Sequence, residues 1–230
     1  MKPALVAFAF VLSASAQEPV PAPKEQVVRA EALLAAHGAR AKKVKVLVAD
    51  YVQRRTTKLR KEPLVSKGEF LFVREPAAVL FFAREPRVSV VRLTTTTYEV
   101  HRPQKKQLER FVLDGPELAA GLFAVVGGDV ERLRADFVVV GCADVAAAPG
   151  QVQIRLQPKA AAARERLPEI AVTLHAESAE LAAVGYRDPA GDLVAIELRA
   201  LRPDPPAPPS AQLAIDPDTV VVEHGARPGR

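Results

Sequence analysis

Alternation with a period of two dominates this chain. Val44, Val46 and Val48 alternate with charged or small residues, Gly68, Phe70 and Phe72 with Glu69 and Leu71, and Val88 and Val90 with Arg87 and Ser89. The cleanest case is Val152, Ile154 and Leu156 against Gln151, Gln153, Arg155 and Gln157. Ile170, Val172 and Leu174 repeat it, as do Val194, Ile196 and Leu198 against Ala195, Glu197 and Arg199. With residues 79–82, 98–101, 107–113, 137–142 and 181–186, the pattern predicts about eleven half-buried strands. Turn sequences such as Glu85-Pro86, Asp114-Gly115-Pro116 and Asp188-Pro189-Ala190-Gly191 separate them. No long helical pattern intervenes, so the sheet is expected to be largely antiparallel.

Two stretches instead follow a helical period. Residues 25–37 place Val27, Val28, Ala30, Leu33 and Leu34 on an amphipathic helix, with Gly38 suited to its end. Residues 116–126 place Leu118, Leu122, Phe123 and Val126 on a short helix that starts at Pro116 and stops at Gly127-Gly128. Asp129 is positioned to cap a further turn through Leu133. The expected order is six strands, a helical insert and five more strands, with the helices covering one face of a strongly curved sheet. Proline frames this domain. Residues 18–23 read as an extended, mobile leader, and five Pro between 203 and 209 exclude an interior strand there. Residues 219–222 form a candidate last strand.

The N-terminus has a different logic. Lys2, an uncharged apolar run over 4–12 and Ala14-Ser15-Ala16 read as an export signal cleaved after Ala16. The run is too short for a stable membrane span, and no Cys follows the cleavage position to take a lipid. The expected organisation is signal 1–16, leader 17–24, one domain 25–223 and a flexible tail 224–230.

Composition narrows the chemistry. The chain is 49% hydrophobic but only 5% aromatic, so its apolar mass is chiefly Val, Leu and Ala. A single Cys excludes a disulfide framework and any multi-cysteine metal site. Nine Lys or Arg lie between Arg40 and Lys61 against one acid, Asp50. Within this run Lys42, Lys43, Lys45, Arg54 and Arg55 mark a candidate docking surface for an anionic surface or an acidic protein. A solvated hairpin whose charges discourage edge pairing accounts for the same residues. Nucleic acid is not expected as a partner, because no aromatics interleave the cations. The four His are far apart, no G-x-S-x-G or H-E-x-x-H is present, and Cys142 follows a Val run as a small buried hydrophobe. The expectation is therefore binding without catalysis, cofactor or metal.

A resemblance emerges over Gly68-Glu69-Phe70-Leu71-Phe72-Val73-Arg74-Glu75-Pro76, Glu85-Pro86, Tyr98, His101-Arg102-Pro103 and Gln107. This order is similar to the outer-membrane lipoprotein carrier (LolA-like) family, with its G-x-(L/F)-x-V-x-R-P, second Pro and Y-x-P-x-x-x-Q. Residues 122–129 resemble the family's apolar lid helix, Leu156-Gln157-Pro158-Lys159 its L-x-P-K, and residues 188–198 its last hairpin. Counted from Gly68 the family arginine falls on Arg74; counted back from Pro76 the position holds Glu75. One extra residue has entered, which a β-bulge would absorb. His101 stands at the family tyrosine, and Val79-Leu80-Phe81-Phe82 replaces a Trp-rich strand.

The resemblance implies an α+β fold, mainly antiparallel: an incomplete, half-open β-barrel of about eleven strands with short helices as a lid over an apolar cavity. It implies a monomeric periplasmic carrier that takes lipid-modified proteins, or another acylated ligand, from an inner-membrane ABC transporter to an outer-membrane acceptor. The same half-barrel also serves as a periplasmic lipid-sensing or regulatory protein-interaction module. By strand parity Phe70 and Phe72 share a face with Arg74, and that face is expected to be concave. Val79, Phe81, Leu122 and Phe123 would complete the cavity lining, and Arg74 is the candidate for gating the lid.

Overall fold

The computed structural model describes residues 18–113, 117–187 and 191–225; the proposed signal, part of the 188–191 turn and residues 226–230 lie outside them. Helix α1 (Lys24–Ala41) precedes a meander of β1 (Val46–Thr56), β2 (Leu64–Val73), β3 (Ala78–Glu85), β4 (Ser89–Thr94), β5 (Thr97–Arg102) and β6 (Gln107–Val112). Helices α2 (Glu117–Gly127) and α3 (Val130–Asp136) follow. The second meander is β7 (Phe137–Asp144), β8 (Gln151–Pro158), β9 (Ile170–His175), β10 (Leu181–Arg187) and β11 (Leu193–Pro203), with α4 (Ala161–Arg166) between β8 and β9. Strand β12 (Val220–His224) ends the described chain.

All twelve strands form one sheet in the order β12-β6-β5-β4-β3-β2-β1-β11-β10-β9-β8-β7. Every pairing is antiparallel except β12 on β6. The outer strands β12 and β7 do not pair with each other, so the sheet is an open α+β half-barrel. Its concave face and the helices share one core, which joins Phe70, Val79 and Leu93 from the first meander to Ile154, Val172 and Ile196 from the second.

The strand pattern was legible because alternation survives wherever one face is buried; β8 reads intermediate-buried throughout. Three expectations change, and one element, α4, is unforeseen. Helix α1 runs three residues past Gly38, because Gly38 is its point of closest approach to the turn after α2. A Cβ there would meet Val130 Cγ2 at 2.5 Å and the Gly128 carbonyl oxygen at 2.9 Å. The leader is not free, since the Ala22 amide donates to the Val139 carbonyl at 2.9 Å on the edge of β7. No bulge sits at Arg74: β1 and β2 pair without interruption to Val46–Val73, and Arg74 to Ala77 form the hairpin turn, which takes up the extra residue. Short α4 carries no sequence signal beyond its alanines.

The proline-rich segment is a strap. It leaves β11 where Asp204 Oδ1 accepts from the Lys45 and Val46 amides, at the start of β1. It arrives at the opposite ends of the strands, where Val220 pairs with Gln107 at the start of β6. On the way Ala211 and Leu213 cover a second apolar cluster of Val48, Leu71, Ala78 and Leu80 on the convex face.

Gly128 sits at φ +69°, and a Cβ there would lie 2.7 Å from Ala41 Cβ. Strain and collision act together, so Gly128→Ala is expected to lower unfolding free energy by about 2 kcal/mol, read from the urea midpoint.

Candidate functional site

The concave face is floored by rows of side chains that cross the first meander in register. One row runs Leu47, Phe72, Val79, Leu93, Tyr98, Phe111. The next runs Ala49, Phe70, Phe81, Val91, Val100. The six expected lining residues therefore come together on one side, but they do not line one open cavity. Phe81 meets Phe70 at 5.3 Å and Tyr51 at 5.2 Å edge-on, and Val79 is fully buried. Phe72 and Phe123 alone of the six face the clefts, with ring centroids 6.5 Å apart.

Helix α2 lies over the concave face, with Phe123 and Gly127 beside Phe72 of the first meander and Gly121 beside Ile170 and Phe137 of the second. From Ala119 onward each residue is buried except the half-buried Ala120 and Phe123. Such a helix cannot stand in water, and its sequence of Ala, Leu, Phe and Val explains why. Its end is built by Gly128, whose left-handed φ lets the Asp129 amide reach the Ala124 carbonyl at 2.8 Å. Asp129 then caps α3 by accepting from the Arg132 amide at 3.1 Å, as its position in the sequence suggests.

Two cationic or polar side chains pin that last turn. Arg74 donates Nη2 to the Gly127 carbonyl at 3.0 Å and the Ala41 carbonyl at 2.8 Å, and Nε to the Val44 carbonyl at 3.0 Å. Its guanidinium also lies 5.7 Å from the Phe72 ring centroid. Buried His37, on α1, places Nε2 at 2.7 Å from the Val125 carbonyl and Nδ1 at 3.2 Å from the Ala179 carbonyl. A positive charge at a helix C-terminus is favourable, and Arg74 also gathers the end of α1. Glu75, the other candidate for the family position, is exposed.

A cleft opens on each side of the pinned turn. One of about 100 Å³ is lined by residues including His37, Leu47, Phe72 and Val126. The other, about 350 Å³, is lined by residues including Phe72, Arg74, Ala77, Phe123 and Gly127. Phe72 is common to both. His37 was legible only as part of the stripe Ala30, Leu34, His37, Gly38 and Ala41, spaced by three and four along α1. Ala77 and Arg132 carry no signal before the turn is folded.

The proposed docking stretch is divided. Lys42, Lys43 and Lys45 are exposed between α1 and β1. Arg54 and Arg55 lie nine or more residues on, about 30 Å along the strand at 3.3 Å per residue. There Arg54 pairs with Glu197 at 3.4 Å and Arg55 with Asp192 at 2.8 Å. These five residues form no single surface.

No protein-family model and no curated protein matches the sequence. The fold is similar to an uncharacterized conserved protein from Thermus thermophilus, at 11% identity over 85% of this chain and 99% of that one, TM-score 0.47. It is also similar to a LolA superfamily protein from Nitrosomonas europaea, at 9% identity over 76% and 94%, TM-score 0.39. A third is the MucA/MucB complex of Pseudomonas aeruginosa, at 18% identity over 84% of this chain and 63% of that one, TM-score 0.41. These are likenesses of fold alone.

The other buried ionisable groups lie outside the clefts. Burial pushes the Cys142 thiol up, which keeps it protonated at neutral pH. Glu99 lies in register with Arg92 and Arg110, in a row that continues to Leu80 on the convex side. Its burial would raise its pKa, but hydrogen bonds from Arg110 at 2.7 Å and Arg92 at 3.0 Å prevail and hold it low. For Glu169 burial prevails over the opposing Arg155, Gln157 and Arg187, and its pKa is raised.

Two variants follow. Arg74→Leu removes three charge-assisted hydrogen bonds and is expected to lower stability by about 3 kcal/mol and to raise binding of a hydrophobic dye, with Arg74→Lys restoring little. For Glu169, the folded state holds its proton more tightly, so the penalty of ionising it is absent below the usual value of 4.5 and grows as pH rises through its folded pKa. Glu169→Gln is thus expected to raise the urea midpoint at neutral pH and to leave it unchanged near pH 4.

Proposed function

We propose that this chain is a non-enzymatic periplasmic carrier that shelters the acyl chains of lipid-modified proteins, or of a related acylated ligand, between inner and outer membranes. The observation that carries this reading is an almost wholly apolar helix held over an apolar floor by polar contacts at its last turn. Val126 lines one cleft and Gly127 the other. Lifting that turn from Arg74 and His37 would join the two clefts along Phe72. A space of about 350 Å³ is at the small end of ligand sites and suits one hydrocarbon chain. Each sheltered methylene contributes ~0.8 kcal/mol, so affinity grows with chain length and needs no reacting group. Arg74 serves as the gate, and Phe72 and Phe123 meet the chain first. Phe70, Val79, Phe81 and Leu122 form the wall behind. An inner-membrane ABC transporter would load the carrier and an outer-membrane acceptor would empty it.

The test is lipid mass spectrometry on protein purified from the exported fraction without detergent, with an assay for release of a lipoprotein from membranes. The expected result is a bound acyl compound and release that Arg74→Leu impairs. Protein that carries no acyl compound and releases no lipoprotein overturns the proposal. A polypeptide recovered in the lipid's place supports the regulatory interaction module instead.

A further inference from the structure

We infer that the rim of the first meander formed by the β1–β2, β3–β4 and β5–β6 connections is a docking surface for an anionic phospholipid bilayer. Consecutive antiparallel strands bring these three connections to the same end of the sheet, each about 10 Å from the next. Segments 57–63, 84–88 and 103–106 together carry seven Lys or Arg against Glu62 and Glu85. Glu85 is taken by Lys67 at 2.9 Å, and Lys106 by Asp218 at 3.0 Å. Lys58, Arg60, Lys61, Arg84, Arg87 and Lys105 remain exposed, with no ion pair among the described residues. Their spacing is close to the screening length of physiological salt, so their fields add.

Charge alone would suit an acidic protein equally. The apolar side chains decide for a bilayer. Leu59 stands 95% exposed at the tip of the β1–β2 loop, between Lys58 and Arg60. Val88 is 44% exposed beside Arg87, and Leu64 and Val65 are 43% and 39% exposed where β2 begins. Cations spread along a line, rather than gathered in a cup, with aliphatic side chains projecting among them, match a flat layer of phosphates over hydrocarbon. The surface lies at the opposite end of the strands from Arg74, so it requires no acyl cargo and stands apart from the carrier reading.

The test is co-sedimentation of the exported, signal-free chain with vesicles in which about one lipid in three is phosphatidylglycerol, against neutral phosphatidylcholine vesicles. Binding is expected only to the anionic vesicles and to weaken with salt. The triple variant K58E/R60E/K61E should bind at least about tenfold more weakly, and Leu59→Ser about threefold. Both changes lie in an exposed loop, and circular dichroism checks that the fold is kept. The control K42E/K43E/K45E makes the same charge change at the other end and should stay within about twofold. Equal binding to neutral vesicles, no vesicle binding, an equal loss in the control, or binding to an acidic polypeptide but not to vesicles overturns the inference.

Discussion

The pairing of β1 with β11 is the constraint on which the rest depends. It runs from Leu47–Pro203 to Thr56–Leu193 and joins two meanders that are otherwise separate in the sequence. Neither meander could cover its own apolar face, because each is a short curved ribbon with one side of Val, Leu and Phe. Joined at β1 and β11, they share one concave core. Joining them in the middle also puts β12 and β7 at the far edges. The sheet therefore curves without closing and leaves a gap between those edges, and the helices lie against its concave side.

Helix α2 follows from that gap. The open side of a curved sheet exposes apolar floor, and the covering element must be apolar in turn. Once α2 is buried, its last carbonyls are out of reach of water and need donors. Arg74 and His37 supply them from β2's hairpin and from α1, and Gly38 against Gly128 lets α1 come close enough for both. The turn is thus fixed by a few directional contacts, whereas the body of α2 rests on non-directional apolar contact. These two kinds of attachment come apart in different ways, which is why release, on the proposed carrier reading, would come at the end of the helix rather than its middle.

Much of the fold could be read from the chain because a half-buried strand writes its burial into alternate residues. Strands β8 and β11 are clear for that reason, whereas β9 is buried on both faces from Ile170 to Leu174. What escaped depends on partners distant in sequence. Gly38 looks like a helix end until Gly128 is seen against it. The prolines of 203–209 exclude an interior strand but do not tell where the segment runs, and Ala211 and Leu213 beyond them cover the convex cluster around Leu71 and Leu80. The basic run looks continuous along the chain, but β1 carries its two halves to opposite ends of the sheet. Within the site, parity alone placed Phe70, Phe72, Val79 and Phe81 on one face. It could not say which of them would be covered by neighbours, since that depends on where α2 rests.

The filled interior sets how a guest chain could be admitted. Phe70, Phe81 and Tyr51 interlock edge to face on paired strands, so the floor cannot rearrange without breaking strand pairing. On the proposed carrier reading the layer that moves would be α2, whose Ala120 and Ala124 line the larger cleft beside Phe72 and Phe123. Lifting the helix without a guest would expose apolar surface on both sides, at ~25 cal/mol per Å². A hydrocarbon chain entering beside Phe72 and Phe123, as proposed, would cover the surface that the helix gives up, leaving only the carbonyl contacts of the last turn to be broken. On that reading, the barrier to opening would lie in Arg74 and His37, and an occupied state would be stabilised by the same apolar floor that holds the empty one shut. Under that proposal one surface would serve both states, and the helix and the guest would compete for it.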